Sequence, residues 1–552
     1  MRDRSIVWML GPVALAVLVM LPRLASPQFG LLDDGLTLQT GREVIGRWSS
    51  VLHLIPETGR FFPAYWLVYS VIFGIVGVRP LAFFTVNVLL FAGVLAMLAR
   101  LVRSAGATRL QAAVAALLFA LSGPAIESFY TLSKAEPLQM TWIGVSLLAT
   151  AASAIEAHSV KRAGLMTLAA VTLLLAHATK ETSLVLVAVS LGWLAIERGS
   201  ARPRPAWARF AATYVVVNLA AAATFTALRW YYAPLGLAEG TYTRAYALHA
   251  GTVGAAAFRI FAWLVRDFAF LLPLVVLAVL SRFGGRPAGS RPLLYACVWM
   301  AGWLAVYLPW PATFAYYLLP FTFGAAVLAG IVVGDAFRLL GAGQPVSIRR
   351  TAWSVLVASG VLWLPAMVNA AADARIQLAV DRANADVVDF LGDLPSRSRV
   401  VLNVTPVNEY LFELPLHLSE IKRRPDVLVV EHLAPGGPSP GEVFVATPEV
   451  ANQPRPTVRI APHAPGVSDD RGLLSAIRAG RADLVYRGAR QTRIVELGLH
   501  RLLCRLPVGA IRDASYCPSD RSVIHDRTFS YGWQVHRLVQ PATAVLRLGH
   551  DG

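Results

Sequence analysis

Two adjacent aspartates, Asp33 and Asp34, follow the first hydrophobic run of the chain, residues 6–21. A doubled carboxylate beside a bilayer is costly to keep unless it takes part in chemistry or in charge recognition. One such role is general-base catalysis, in which a carboxylate removes a proton from a reacting group. The alternative is structural, because aspartate is a preferred N-cap residue and a helix is predicted to begin near Leu36.

Other charged residues fall in three later segments that are predicted to form loops on the same side of the membrane. They are Glu127, Lys134 and Glu136 in the second loop, Lys180 and Glu181 in the third, and Arg244 in the fourth. Acids and bases that alternate on one side of a membrane are typical of a site for an anionic, polar substrate presented from the lipid. Taken singly, each has a simpler interpretation, since a Lys–Glu pair at a helix end is usually a local salt bridge.

The composition indicates that the elements positioning these residues are membrane helices. Of the 552 residues, 56% are hydrophobic and only 15% are charged, and the mean hydropathy is +0.55. A soluble protein would have about a quarter of its residues charged. The net charge is +17, but the basic residues are dispersed, with clusters in short loops. This distribution fits the positive-inside rule and not a nucleic-acid-binding surface.

We predict a polytopic α-helical membrane protein with about eleven spans, because apolar runs of roughly 20 residues recur through the first two thirds of the chain. Residues 61–78 are apolar but carry Pro63 and several aromatic side chains. We interpret them as an interfacial or re-entrant helix pair. With a cytoplasmic N-terminus, every inside loop is then basic, as the positive-inside rule requires. Counting residues 61–78 as a span would place the arginine clusters outside.

Hydropathy falls abruptly after Val368, and residues 373–552 are predicted to form a soluble α/β domain. Its predicted elements are helices at residues 375–394 and 408–422 and strands at residues 400–404 and 427–430. An odd number of spans places this domain on the same, extracytoplasmic side as the Asp pair. Its two cysteines, Cys504 and Cys517, could form a disulfide there or remain free buried thiols.

Several of these segments, taken in order, resemble the GT-C glycosyltransferases, multispan enzymes that use polyprenyl-phosphate-linked sugars. The Asp33–Asp34 pair is similar to their first-loop acidic motif, and residues 127–138 are similar to their second-loop pattern of acid, base and acid. Residues 179–182, Thr-Lys-Glu-Thr, resemble a Ser/Thr-Lys-Glu motif of the bacterial members and of protein O-mannosyltransferases. Residues 316–320, Tyr-Tyr-Leu-Leu-Pro, resemble a later aromatic-Leu-Pro segment. The chain departs from the pattern at Lys134, where relatives often have arginine, and in a tail without TPR repeats.

The resemblance implies that a sugar is transferred, with inversion, from a polyprenyl-phosphate donor to a lipid, glycan or protein acceptor. It implies that Asp33 is the base that deprotonates the acceptor hydroxyl, while Asp34 orients the loop or binds the acceptor. Lys180 and Lys134 are the predicted ligands of the departing phosphate, and Arg244 is a further candidate.

No cofactor is implied as required. A divalent metal could bridge Asp33 or Glu127 to the phosphate, although no His-rich ligand spacing calls for one. Glu127, Glu136 and Glu181 complete the predicted substrate-binding set. The expected partners are the lipid-linked donor, the acceptor and membrane lipids, with no nucleic acid.

The predicted organisation is a GT-C-like catalytic domain at residues 1–372 and an α/β domain at residues 373–552. Residues 31–79 form the first extracytoplasmic loop, and the protein is expected in a bacterial inner membrane with its active site facing outward. Two alternatives stand beside this interpretation. A transporter or flippase for lipid-linked saccharide would be expected to place ionisable residues at mid-span and to show inverted repeats. The other alternative is a non-catalytic envelope protein.

Overall fold

The structure is a computed structural model of the chain. It describes residues 10–53, 60–200, 204–233, 250–283, 290–310, 314–341, 344–402, 409–430, 443–449, 480, 482–499 and 522–538. Three residues singled out from the sequence, Arg244, Cys504 and Cys517, lie outside the described residues.

Helices make up the first two thirds of the described chain. They are α1 (Leu10–Ala25), α2 (Asp34–Gly46), α3 (Pro63–Val76), α4 (Pro80–Ser104), α5 (Arg109–Ala120), α6 (Gly123–Tyr130), α7 (Glu136–Ile155), α8 (Ser159–Thr179), α9 (Val185–Arg198), α10 (Pro205–Tyr232), α11 (Ala250–Phe268), α12 (Leu271–Phe283), α13 (Ser290–Ala305) and α14 (Leu319–Leu339). The 47-residue helix α15 (Val346–Gly392) follows. A short helix, α16 (Glu409–Leu416), continues into one π-helical turn, His417–Ile421.

Six helical segments among the described residues are long and apolar enough to cross a membrane. They lie at α4, α7, α8, α10, α14 with the short turn before it, and α15. Two bent pairs, α5 with α6 and α11 with α12, raise the number to eight if each pair is one span. The protein is therefore a multispan helical protein by length and composition, and the figure of about eleven spans stays a prediction. At 14 residues, α3 is about 21 Å long, shorter than the hydrocarbon core.

Proline marks the start of several of these helices, because its fixed φ suits the first turn and its missing N–H is not needed there. It lies in the first turn of α3, α4, α6, α7, α10 and α14. In α7 the sequence Glu136-Pro137 therefore fixes Glu136 as the first helical residue. A glutamate at this position is also favoured by the helix dipole.

Glycine allows α14 to approach α5 closely, as is usual where membrane helices pack through small residues. A Cβ atom at Gly330 would lie 2.5 Å from the Gln111 backbone oxygen, and one at Gly334 would lie 2.1 Å from Gln111 Cγ. The Gln111 amide also donates to the Ile331 carbonyl at 3.0 Å. A side chain at Gly330 would therefore push the two helices apart, whereas one at Gly334 would displace the Gln111 side chain.

The chain divides into two compact units by its internal contacts. The helical unit comprises Met1–Pro27, Thr40–Arg375 and Ile494–Arg527. The sheet unit comprises Gln28–Gln39, Ile376–Arg493 and Thr528–Gly552. The short segment Gln28–Gln39, which carries both aspartates of the Asp pair, thus belongs with the C-terminal part of the chain.

The sheet is five-stranded, with strand order β2-β1-β3-β5-β4. Its strands are β1 (Arg399–Leu402), β2 (Leu428–Val430), β3 (Val443–Glu449), β4 (Ala482–Leu497) and β5 (Ile524–Leu538). β1 pairs in parallel with both β2 and β3, and β3 pairs antiparallel with β5. The parallel pair β1–β2 requires a crossover connection, and α16 lies within it.

The two strands predicted from the sequence coincide with β1 and β2, and the helix predicted between them corresponds to α16 and its π-helical turn. The helix predicted at residues 375–394 is not a separate element. It continues the preceding apolar helix without a break, so that both belong to α15, which contains Pro365. Hydropathy changes where the surroundings of a helix change, whereas its backbone hydrogen bonds continue regardless.

Candidate active site

A buried ion pair joins the start of α7 to the end of α8 in the helical unit. Lys180 Nζ donates to Glu136 Oε1, and the two side chains are 8% and 1% exposed. Because α7 and α8 follow each other through a short connection and pack as antiparallel neighbours, the first residue of one and the residue after the other meet at the same end. Lys180 is held in an extended conformation between α8 and the 3₁₀ turn Glu181–Leu184.

The position of Lys180 lowers its affinity for a proton. Burial lowers the pKa of Lys180 to about 8, while the Glu136 carboxylate partly offsets this effect. The positive charges of Arg60 and Lys134 lower the pKa further. Three cationic side chains from separate parts of the helical unit therefore lie close enough to repel one another.

Two tyrosines lie against these lysines. Lys134 Nζ is 4.4 Å from the ring centroid of Tyr316, and Lys180 Nζ is 4.4 Å from that of Tyr317. Both rings come from the 3₁₀ turn Ala315–Leu318, which precedes α14. A cation over an aromatic face is attracted by the ring quadrupole, most strongly where water is excluded. The turn thus holds the two ammonium groups side by side.

A second ion pair lies next to the first. Glu181 Oε1 accepts from Arg229, whose Nη1 is 3.1 Å away, and from the backbone N–H of Phe61 at 2.8 Å. Arg229 lies in the last turn of α10. The glutamate therefore connects the segment before α3, the end of α8 and the end of α10.

Lys180 and Glu181 form ion pairs with other residues, which argues against the simpler interpretation of this pair as a local salt bridge. Although the two residues are adjacent, each forms its ion pair with a residue of another helix, Glu136 and Arg229 respectively. Gln139 also reaches this turn, and its amide donates to Ser183 Oγ at 2.7 Å. The Thr-Lys-Glu-Thr segment is therefore a junction of several helices.

Glu127 lies in the second half of α6 and is close enough to Tyr316 for an electrostatic interaction between the two side chains. The helical unit thus brings together five residues of the predicted substrate-binding set. They are Glu127, Lys134, Glu136, Lys180 and Glu181. Arg244, the sixth, lies outside the described residues. We call the five residues, together with Arg60, Arg229, Tyr316 and Tyr317, the cation cluster.

The predicted substrate-binding set omitted four residues of the cluster, Arg60, Arg229, Tyr316 and Tyr317, although each occurs in a segment that the sequence analysis considered. Arg229 closes α10, a helix otherwise apolar at that end except for Tyr231 and Tyr232. An arginine at the outer end of a predicted span, followed by aromatic residues, was the available signal. The ring contacts of the two tyrosines had no sequence signal beyond the aromatic-Leu-Pro resemblance.

The Asp pair lies in the sheet unit, and its two members have different surroundings. Asp34, the first residue of α2, is buried, and its Oδ2 accepts from the Gly30 N–H at 2.7 Å. Asp33 is exposed and has a left-handed backbone, with φ of 65°. Its carbonyl oxygen accepts from the Thr37 backbone N–H at 3.0 Å and from the Thr37 hydroxyl at 2.8 Å.

Among the described residues, no group of three or more His, Cys, Asp or Glu side chains is arranged to hold a metal ion. The clustered charges at the ends of α7, α8 and α10 are suited instead to an anion, because lysine and arginine bind phosphate oxygens through charge-assisted hydrogen bonds.

No family model matches the sequence, and no curated protein matches it. Solved structures similar to the chain include ArnT from Cupriavidus metallidurans bound to undecaprenyl phosphate, with 17% identity, a TM-score of 0.49, and coverage of 81% of this chain and 94% of that one. The Archaeoglobus fulgidus oligosaccharyltransferase in the apo form has 12% identity, a TM-score of 0.49, and coverage of 78% and 65%. Archaeal oligosaccharyltransferase AglB in complex with an inhibitory peptide and a dolichol-phosphate has 10% identity, a TM-score of 0.47, and coverage of 80% and 69%. The ligands named are those of the other proteins.

Proposed function

We propose that the protein is an inverting membrane glycosyltransferase that transfers a sugar from a polyprenyl-phosphate donor to a hydroxyl-bearing lipid, glycan or protein acceptor. The observation that carries the proposal is the cation cluster, in which two lysines and two arginines from four separate segments converge in the helical unit. A buried group of cations at a helix end is costly unless anions satisfy it. Glu136 and Glu181 pair with two of the cations.

Lys134 is the cation best suited to receive the donor phosphate. Its Nζ contacts the Tyr316 ring, and no ion pair among the described residues includes it. An incoming phosphate would add the charge-assisted hydrogen bonds that an ammonium group favours. Lys180, whose pKa is lowered by the charge of Lys134, and Arg229, which pairs with the adjacent Glu181, can share the negative charge that develops as the phosphate departs.

The reaction balances without a cofactor. Asp33 takes the proton of the acceptor hydroxyl, and the acceptor oxygen attacks the anomeric carbon from the face opposite the phosphate. The new carbon–oxygen bond forms as the bond to the phosphate oxygen breaks, and polyprenyl phosphate leaves with that electron pair, stabilised by the cation cluster. Transfer measured with and without a chelator tests whether a divalent ion assists.

We further propose that about eleven spans place the cation cluster and residues 373–552 outside a bacterial cell membrane. Single cysteines at the Lys134 and Lys161 positions, labelled from outside in intact cells with a membrane-impermeant reagent, test this. Labelling is expected at position 134 and not at 161, because the two lie at opposite ends of the α7–α8 pair.

The decisive experiment incubates the purified protein with radiolabelled polyprenyl-phosphate sugars and membrane extract. Asp33→Asn should lower the transfer rate by about 10²- to 10⁴-fold, the usual contribution of a general base. Glu156→Gln, at a partly exposed acid just after α7, is the matched control and should keep full activity. Full transfer by Asp33→Asn would remove this residue as the base. Movement of the lipid-linked sugar across vesicles without bond cleavage would instead establish the transporter alternative.

A further inference from the structure

The N-terminus of α2 is capped by a side chain from the far end of the sequence. Glu413, on α16, accepts from the Gly35 N–H through Oε2 at 2.7 Å and from the Leu36 N–H through Oε1 at 3.1 Å. All these residues belong to the sheet unit. Glu413 is 1% exposed, so neither hydrogen bond is readily replaced by water.

The two N–H groups are those that an N-cap residue would ordinarily satisfy. With α2 beginning at Asp34, the residue before it, Asp33, occupies the N-cap position, whose side chain typically accepts from the second or third helical N–H. Here both of these groups donate to Glu413 instead. The capping alternative for the Asp33 side chain thus loses the hydrogen bonds on which it depends.

The absence of a side chain at Gly35 makes this arrangement possible. A Cβ atom there would lie 2.8 Å from Glu413 Oε2, 2.9 Å from Leu416 Cβ and 2.9 Å from the His417 ring. All three distances are shorter than carbon atoms tolerate. His417 Nε2 lies 3.6 Å from Glu413 Oε2. Glu413 is therefore confined between α2 and the π-helical turn.

The backbone of Asp33 adds a second constraint. A left-handed conformation is uncommon for a residue other than glycine, although aspartate tolerates it better than most. It costs free energy and persists only where the surrounding structure imposes it. The bonds on either side impose it here, since Asp34 binds Gly30 before the turn and Glu413 binds Gly35 and Leu36 after it.

We infer that Glu413 is a positioning residue for Asp33, so that a residue of the C-terminal part of the chain orders the turn that carries the proposed base. The carboxylate of Glu413 caps α2 and holds the left-handed turn in which the exposed Asp33 side chain is presented. This inference rests on the proposed function for its catalytic consequence, but not for its structural one. A negative charge at the N-terminus of α2 is also favoured by the helix dipole.

The test compares Glu413→Ala with Tyr531→Phe. Tyr531 bonds Tyr410 through their hydroxyls at 2.8 Å, so that its substitution removes a buried hydrogen bond from the same helix, α16, but leaves the Glu413 acceptors of the Gly35 and Leu36 N–H groups in place. Glu413→Ala should lower kcat by about 10- to 100-fold, as expected for a misplaced catalytic group. It should leave the KM of the donor within about twofold, since donor binding is not affected. Glu413→Gln, which retains one acceptor oxygen, should fall between Glu413→Ala and the wild type.

Hydrogen exchange supplies a readout that does not depend on activity. The amides of Gly35 and Leu36 should exchange faster in Glu413→Ala than in Tyr531→Phe, because only the first variant removes their acceptors. A kcat of Tyr531→Phe near that of the wild type supports the inference when Glu413→Ala is impaired. Equal losses of kcat in the two variants would overturn it, because they would indicate a general effect on stability.

The failure of the inference and that of the proposed function are distinguishable. If Asp33→Asn abolishes transfer while Glu413→Ala retains it, the positioning role is wrong and the proposed function stands. If the wild-type protein transfers no sugar, the proposed function fails alone. In that case, equal amide exchange in Glu413→Ala and Tyr531→Phe would show that Glu413 does not order the turn either.

Discussion

The cation cluster and the Asp33 turn place charged groups in opposite ways. In the cluster, the charged side chains pair mainly with other side chains, as Lys180 does with Glu136 and Glu181 with Arg229, and the residues involved come from several separate segments of the helical unit. At the Asp33 turn, carboxylates bind backbone N–H groups, and one of them comes from 378 residues further along the chain. The charges of the cluster thus all belong to the helical unit, whereas the geometry of the turn depends on the C-terminal part of the chain.

This difference indicates a different function for each of the two regions. Paired charges at helix ends can exchange one partner for another, which suits the binding and release of an anion. Backbone bonds to a buried carboxylate fix a conformation, which suits a group that must meet a reacting atom in one orientation. The comparison predicts that damage to the cluster will alter donor binding and that damage to the turn will alter the rate of the chemical step.

The largest effect on stability and transfer is expected from substitution of Lys180. Lys180→Met should lose about 3–5 kcal/mol of stability, because it leaves the buried Glu136 without its partner. Adding Glu136→Gln should restore the stability, but transfer by the double variant should stay about 10- to 100-fold low in kcat/KM, the value of a charged hydrogen bond. Lys161→Met, an exposed site at the other end of α8, is the control for both measurements. Wild-type kcat/KM in the double variant would exclude Lys180 as a phosphate ligand.

A smaller effect is expected at Gly35. Gly35→Ala brings a methyl group against Glu413 and His417, so that we expect kcat to fall by about tenfold through displacement of the turn. The KM of the donor should be unchanged. Gly46→Ala, at the other end of α2, meets no atom within 4 Å and should gain up to about 1 kcal/mol of helix stability. A Gly35→Ala variant with a raised KM and an unchanged kcat would contradict the assignment of the Asp33 turn to the chemical step.

The smallest effect concerns pH. Since the pKa of Lys180 is lowered to about 8, this side chain is charged below that pH and loses its proton as the pH rises through it. The donor phosphodiester does not titrate in this range, so that its Kd should increase above pH 8, by at most about tenfold per pH unit. Equilibrium binding of the labelled donor between pH 6.5 and 9.5 measures this, with the Lys180→Met, Glu136→Gln double variant as the reference. A wild-type slope no steeper than that of the variant would contradict it.

Much of the helical unit could be read from the sequence because the relevant signals are local. Apolar runs indicate helices that can cross a bilayer, and proline in the first turn of a helix marks where a loop ends. Residues at the same end of consecutive antiparallel helices lie near one another, and for this reason loop positions alone grouped Lys134, Glu136, Lys180 and Glu181. Loop positions could not predict which residues form each ion pair, because Lys180 and Glu181, although adjacent in sequence, each pair with a residue of another helix.

By itself, the sequence determined that this is a multispan helical protein whose charged loop residues resemble those of GT-C glycosyltransferases. Only the tertiary structure decided that Lys180 pairs with Glu136 while Glu181 pairs with Arg229, and that Glu413 caps the helix following Asp33. The physical reason is the distance along the chain over which each kind of signal acts. Hydropathy and capping preferences act within a few residues, whereas an ion pair or a cap from a distant segment depends on helix packing that brings two remote atoms within 3 to 4 Å.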